Sequence, residues 1–443
     1  MREMKDSGIE WINDIPSTWE VKRLKKILVE RNEKNNPIKT RNLLSLSIDK
    51  GVFPYSEKTG GGNKAKENFE DYKVAHENDI VLNSMNVIVG AVGISKYYGC
   101  VSPVYYTLYP RDIRYSINYY NDIFQSSAFQ KSLWGLGNGI VVKESDDGKL
   151  NTIRMRIPME KLYNVLLPVP RKEEQEKIAD FLDNKISEID KIIKITKNTI
   201  EDYKKYRVAI ISKVTTKGLN PNIEMKNTNN DFIGYIPKHW KLRKLKYIAK
   251  SIEKGNGITK DDVKKNGDTP CIRYGEIYTN YNYSFNKCHT RTNKEKIGSK
   301  KYFSYGDILF AGTGELVEEI GKNIVYLGKE KCLCGGDIII VKHTQNPSYL
   351  SYYLNSQSSQ KQKSFGKAKL KVVHTSGAEI GNILVPLPPI DEQDQINKFI
   401  NRINNAIDKL ILSKQQIIDK LEQYKQSLIY EYVTGKKEVK ENV

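Results

Sequence analysis

The feature that most limits what this chain can fold into is that it says nearly everything twice. VPRKEEQEKIADFL at 169–182 returns as LPPIDEQDQINKFI at 387–400, an offset of 218. IPSTWEVKRLKKIL at 15–28 returns as IPKHWKLRKLKYIA at 236–249, an offset of 221. LYNVLLPVP at 162–170 matches IGNILVPLP at 380–388, and YRVAIISKVTTKG at 206–218 matches YKQSLIYEYVTGK at 424–436, both again at 218. A weaker pair, ENDIVL at 77–82 and YGDILF at 305–310, sits at 228. A fixed period of this size means two similar units, each with a globular portion of about 150 residues and a helical portion of about 50.

The helical portions are the clearest elements. Prolines followed by acids mark a helix start. From there the positions of a largely apolar seam, with polar residues within it, step by three and four. In the first arm they are Ile186, Ile189, Ile193, Thr196, Ile200, Tyr203, Arg207, Ile210 and Val214. In the second they are Ile403, Ile407, Leu410, Lys414, Ile417, Leu421, Tyr424 and Leu428. These are narrow heptad seams, which suit helix-on-helix packing better than packing on a globular surface. Gly218 and Gly435 fall where the helices should stop. The arms are therefore expected to pair as an antiparallel coiled coil. A helix from about residue 174 to 216 rises roughly 60 Å.

The globular portions read as mixed α/β. NLLSLSI, DIVLN, TIRMRI, DILFA, NIVYL and DIIIVK predict strands. KRLKKIL, RKLKYIA, NYYNDIFQSSAFQKSL and YLSYYLNSQSSQKQK predict helices. TGGGNKAK at 59–66 and EKGNG at 253–257 predict loops. The fold class is α+β: two similar mixed domains separated by two long paired helices, a tandem repeat of pseudo-two-fold form. The expected boundaries are 1–168, 169–220, 221–386 and 387–443.

Charge identifies the kind of partner. The chain carries 72 Lys and Arg against 53 Asp and Glu, a net +19. Residues 15–170 hold 22 basic and 16 acidic side chains (+6), and residues 236–383 hold 26 and 13 (+13). The arms at 171–217 and 384–435 hold 12 and 9 (+3) and 6 and 7 (−1). Basic globular portions on near-neutral arms imply a polyanion, nucleic acid first. Five cysteines, Cys100, Cys271, Cys288, Cys332 and Cys334, form no CxxC pair and suit a reducing compartment. No apolar run suggests a membrane span and the opening residues lack a signal-peptide pattern, so the cytoplasm is expected.

Catalytic constellations are weak. Residues 310–314 (FAGTG) and 346–349 (NPSY) approach the motifs of amino-methyltransferases, but only 32 residues separate them and no crossover helix lies between. The acids of 315–319 lack a partner lysine for metal-dependent nuclease chemistry. There is no P-loop, the five histidines are scattered, and the Cys288-His289 and Cys332-x-Cys334 spacings fit no structural zinc pattern. What remains is binding. Candidate DNA contacts lie on three loops: Lys58, Asn63, Lys64 and Lys66; Arg273 and Tyr274; and Lys367, Lys369, Lys371 and His374.

The two proline-plus-EQ helix starts, the IPxxW openings at Trp19 and Trp240, the GDIL at 306–309 and the closing SLIYEYVTGK resemble the specificity subunits of type I restriction–modification systems over almost the whole chain. The resemblance implies two target recognition domains, each reading one half of a bipartite, asymmetric DNA target, on antiparallel helices that set the spacing and dock the modification subunits. It implies a non-catalytic chain without its own cofactor. S-adenosylmethionine would belong to the modification subunits, two of them, and ATP and Mg²⁺ to a restriction subunit. Arg171-Lys172 stands where the second repeat has Pro389-Ile390, so the two helix starts are expected to differ. The competing expectations are a self-contained adenine methyltransferase and a coiled-coil scaffold with no DNA role.

Overall fold

A computed structural model describes residues 2–59, 65–140, 154–264, 266–293, 295, 301–368 and 372–440. The chain resolves into two compact units. One holds residues 1–196 together with 416–443, and the other holds 197–415. Each long helix thus contributes part of itself to each unit.

The first unit is built on a four-stranded antiparallel sheet in the order Leu28–Glu30, Tyr105–Pro110, Ile80–Asn83, Val92–Ile94. Ile80, Val81 and Leu82 are each fully buried, so this central strand is covered on both faces. The hairpin Leu44–Ser47 and Gly51–Pro54 and the helices Ile117–Gln125 and Ser127–Ser132 pack around it. Of the expected strand at 152–157, Arg154–Arg156 forms, and its first two residues lie outside the described ones. The second unit repeats the scheme with Ala249–Lys254, Ile338–His343, Ile308–Ala311 and Asn323–Tyr326, and adds Ser284–Phe285 in parallel at one edge. A second sheet there, Thr290–Thr292, Thr269–Ile272, Cys332–Cys334 and Tyr302–Phe303, encloses a core of Ile277, Phe303, Leu309, Ile324 and Tyr326.

Two expected helices are strands. KRLKKIL and RKLKYIA each form strand, one 3₁₀ turn and strand: Glu20–Arg23, Leu24–Lys26, Leu28–Glu30, and Lys241–Lys244, Leu245–Tyr247, Ala249–Lys254. The reason is tertiary. Glu20–Arg23 pairs with Leu166–Val169, and Lys241–Lys244 with Leu384–Leu387, the strands that lead into the long helices. The 3₁₀ turn places Leu24 and Leu245 in the core, so the spacing that mimics a helical face is satisfied by a different backbone. The expected helices at 118–133 and 349–363 exist, but each breaks at a serine, Ser126 and Ser356.

The central helix, Lys172–Lys217, and the distal helix, Ile390–Val433, explain why the sequence repeats itself. Gln175 is fully buried; its amide oxygen accepts from the Ser116 N–H at 2.8 Å, and its NH₂ donates to the carbonyls of Pro170 and Arg114. Gln393 does the same with the Asn346 N–H and the Pro388 carbonyl. The preceding glutamates, Glu174 and Glu392, each accept from an indole, Trp19 and Trp240, at 2.9 Å. Those same tryptophans lie against the glycines that end the partner helices. Gly435 (φ +70°) abuts Pro16 and Trp19, and Gly218 (φ +74°) abuts Trp240 and Pro237. The IPxxW, EQ and closing glycine blocks therefore meet at one point in each unit: a helix start, a helix end and the tryptophan between them. The two starts do not differ as expected. The Arg171 carbonyl accepts from the N–H groups of Glu174 and Gln175 just as the Pro389 carbonyl accepts from those of Glu392 and Gln393. Replacing proline by arginine there changes no bond, because the first N–H groups of a helix have no intrahelical partner.

The helices pack antiparallel. In the first unit Phe181 meets Tyr432 (4.5 Å between ring centres) and Asp190 pairs with Lys425 at 2.7 Å. In the second, Arg207 pairs with Asp408, and Ile211 and Val214 share a core with Ile396 and Ile400. The central seam lies as expected, with Ile189, Ile193, Thr196, Ile200 and Val214 buried. The distal seam is shifted at alternate positions. Ile411, Ile418 and Lys425 face inward, whereas Leu410, Ile417 and Tyr424 are 44%, 39% and 54% exposed. With apolar neighbours at 410–412 and 417–418, a three-four and a four-three stepping both fit the sequence, and the fixed partner positions on the central helix decide between them.

Candidate nucleic-acid interface

The predicted basic loops fall on three different supports. In the first unit Lys58 and Lys66 line one cleft of about 660 Å³ beside the 44–54 hairpin. The Lys58 ammonium lies over the Tyr55 ring at 5.1 Å, and Lys66 reaches Asp71 at 3.3 Å. Two phenols hold the end of this loop in place: the Tyr55 hydroxyl accepts from the Ala65 N–H, and the Tyr72 hydroxyl from the Lys66 N–H. Asn63 and Lys64 lie outside the described residues.

In the second unit Arg273 caps the short helix Tyr274–Thr279, its backbone N–H donating to the Glu276 carboxylate at 2.8 Å. Tyr274 is 39% exposed. Lys367 is committed within the protein: its ammonium donates to the His374 carbonyl (2.7 Å) and the Glu379 carboxylate (2.8 Å). His374 Nδ1 and the Thr313 hydroxyl lie 3.2 Å apart at the rim of a cleft of about 370 Å³, which Lys254 and Asp337 also line. Lys369 and Lys371 lie outside the described residues. The structure thus joins Lys58 with Lys66, and Lys367 with His374, while Arg273 and Tyr274 stand on their own helix start.

An exposed basic ridge goes unrecognised in the sequence, where the same stretch reads as a helix. Lys241, Arg243, Lys244, Lys246 and Lys250 are all exposed along the strand–turn–strand of the second unit. Among the described residues none of them forms an ion pair, and Lys246 alone lies over a ring, that of Tyr247 at 5.3 Å. The corresponding ridge of the first unit is partly neutralised: Lys22 pairs with Glu20 at 2.6 Å, and Arg31 with the buried Asp79 at 2.7 Å. The usable signal is the charge run itself, six cations against one acid over residues 241–254. Not every lysine is available to a polyanion. Lys363 is buried, donates to the carbonyls of Gly321 and Leu354 at 2.8 Å each, and is pushed by burial down to about 7.

The methyltransferase-like fragments have structural duties. Asn346 caps the helix Pro347–Leu354, accepting from the Tyr349 N–H, and its amide donates to Asp394. Phe310 and Ala311 are core residues of a central strand. The five cysteines are buried free thiols.

A duplicated α+β unit, with exposed basic side chains and a share of the paired long helices in each copy, defines a tandem-repeat α+β protein. The chain belongs to the type I restriction modification DNA specificity domain family, whose sequence pattern matches residues 16–202 and again 237–423. Similar curated proteins come from Methanocaldococcus jannaschii. One, provisionally named as the type I restriction enzyme MjaX specificity subunit, is 28% identical over 287 residues, 63% of this chain and 61% of that protein. The type I restriction enzyme MjaVIII specificity subunit is 26% identical over 290 residues, 62% of this chain and 63% of that protein. The chain thus spans somewhat under two thirds of the length of these relatives. A solved chain from work on complex assembly and conformational transition of the type I R-M system has the same fold, with a TM-score of 0.67 at 12% identity over 95% of this chain and 99% of that one.

Proposed function

We propose that this protein is the non-catalytic DNA-specificity subunit of a type I restriction–modification complex. The observation that carries this reading is the double family match, each copy covering one basic globular portion and the start of one long helix. In this reading residues 1–168 and 221–386 are target recognition domains, each reading one half of a split, asymmetric site. The helical regions at 169–220 and 387–443 set the gap and dock two modification subunits. Lys58, Asn63, Lys64, Lys66, Arg273, Tyr274, Lys369, Lys371 and His374 contact DNA, and Lys367 positions the His374 loop. S-adenosylmethionine binds the modification subunits; ATP and Mg²⁺ bind the restriction subunit. Phosphate contacts supply affinity and loop side chains supply sequence choice. The chain is cytoplasmic, with its DNA; among the described residues no helix is long and apolar enough to cross a membrane.

The test is to co-express the chain with its modification partner and map methylated adenines across a genome. The expected pattern is one interrupted motif with two unlike halves. Methylation by the isolated chain, or a motif that persists without it, would overturn the reading.

A further inference from the structure

The two units differ at one matched position in a way the repeat does not explain. In the second unit Tyr352, on the helix Pro347–Leu354, donates its hydroxyl to the Asn401 side chain of the distal helix at 2.7 Å, and Asn404 donates to the same hydroxyl. The repeat offset that relates Tyr119 to Tyr349 places Asp122 opposite Tyr352, and the offset of 218 places Asp183 opposite Asn401. Where one unit has a phenol bonded to an amide, the other has two carboxyl groups.

Asn118, Asn121, Asp122 and Asp183 line a cleft of about 710 Å³. Asn118 and Asp122 are one turn apart on the helix Ile117–Gln125, so both face it. Asp122 is only 4% exposed, and its Oδ2 has no hydrogen-bond partner. The Asn121 side-chain oxygen is likewise buried and unpartnered. Glu57, Lys50 and Lys96 line the same cleft; the Lys50 ammonium lies over the Phe53 ring at 5.3 Å, and the Lys96 charge acts on Asp183 but not on Asp122, with neither lysine at ion-pair distance from the two carboxyl groups among the described residues. A buried carboxyl with no donor is among the costliest arrangements a protein can hold, and it calls for a counter-charge or a proton.

We infer that Asp122 and Asp183, with the side-chain oxygen of Asn121, form a binding site for a hard divalent cation, Mg²⁺ or Ca²⁺, which fastens the helix Ile117–Gln125 to the central helix in the first unit. The donor set is all oxygen, as such ions require. Among the described residues no three acidic, histidine or cysteine side chains converge, so the amide oxygen and water complete the shell. Mg²⁺ in particular keeps several waters and needs only one or two carboxylates. The ion does for the first unit what the Tyr352–Asn401 bond does for the second: it ties a globular helix to a long one.

The experiment is calorimetric titration of the full chain with MgCl₂ or CaCl₂ alone, with thermal melts in the same salts and in NaCl at matched ionic strength. The expected dissociation constant is on the order of 10⁻⁴–10⁻³ M, typical of sites with few carboxylates. D122N should weaken binding by roughly tenfold or more, one carboxylate being removed from a set of two. The double substitution D122Y/D183N transplants the second unit's pair; it should keep the circular dichroism of the fold and abolish the cation-dependent rise in Tm. No binding to the unaltered chain, a melting shift that NaCl reproduces, or equal binding by D122N would each overturn the proposal. The last result would place the ion elsewhere, and the first would leave Asp122 as a protonated carboxyl.

Discussion

At the scale of single residues, the strongest statements concern groups that burial has displaced from their ordinary behaviour. His343, at the end of a central strand, is pushed down to about 4 by burial. Between that value and the ordinary 6.5, the unfolded chain takes up a proton that the native protein refuses. Stability therefore rises with pH through this window and is lost as pH falls through it. Urea unfolding from about pH 4 to about 6.5 should show this slope, and His343→Gln should flatten it. The helix-ending glycines make a paired prediction. A Cβ on Gly435 would meet Pro16 Cδ at 2.5 Å, whereas on Gly218 its nearest neighbours lie at 3.3 Å. Both have positive φ. Gly435→Ala should lower Tm more than Gly218→Ala, the strained backbone alone costing on the order of 1 kcal/mol in each.

Elements show which parts of the architecture can be read from sequence and which cannot. The long helices are legible because their punctuation is chemical: a proline, an acid that an indole seeks, and a glutamine that satisfies the backbone before the helix. Lys241–Lys244 is not, because its strand character comes from pairing with Leu384–Leu387, some 140 residues away, and not from local spacing. The distal seam is ambiguous for a similar reason, since Leu410 and Ile411 are equal candidates until the central helix fixes the register. That register is open to direct test. Ile418→Ala should destabilise by about 2 kcal/mol or more, as for a buried isoleucine, and Ile417→Ala by clearly less; thermal melts would separate them. If the helices act as a ruler, one heptad added to each, after Ile193 and across from it near Leu421, preserves the seam. Methylome mapping should then show a longer unspecified gap between unchanged half-sites. At the candidate interface, sequence shows charge but not its employment. Lys367 and Lys363 look like available cations until the fold ties one to Glu379 and places the other in the interior.

For the whole molecule, the uneven charge of the two repeats has a measurable result. Replacing Lys241, Arg243, Lys244 and Lys250 by glutamine should weaken DNA binding by the assembled complex and flatten its dependence on salt, by up to about 0.9 in log–log slope for each phosphate no longer neutralised. The bases recognised should stay the same, because phosphate contacts carry no sequence information. An unchanged slope would remove the ridge from the interface. The composition of the units has a consequence for how the protein is made. The second unit, 197–415, is one continuous stretch, but the first is missing a strip of its core until residues 416–433 exist. Tyr119, for instance, waits for the carbonyl of Val433, 2.8 Å from its hydroxyl. On the ribosome the unit begun first would be completed only after the second unit has emerged, and a stop codon ahead of residue 416 would leave residues 1–196 without that strip.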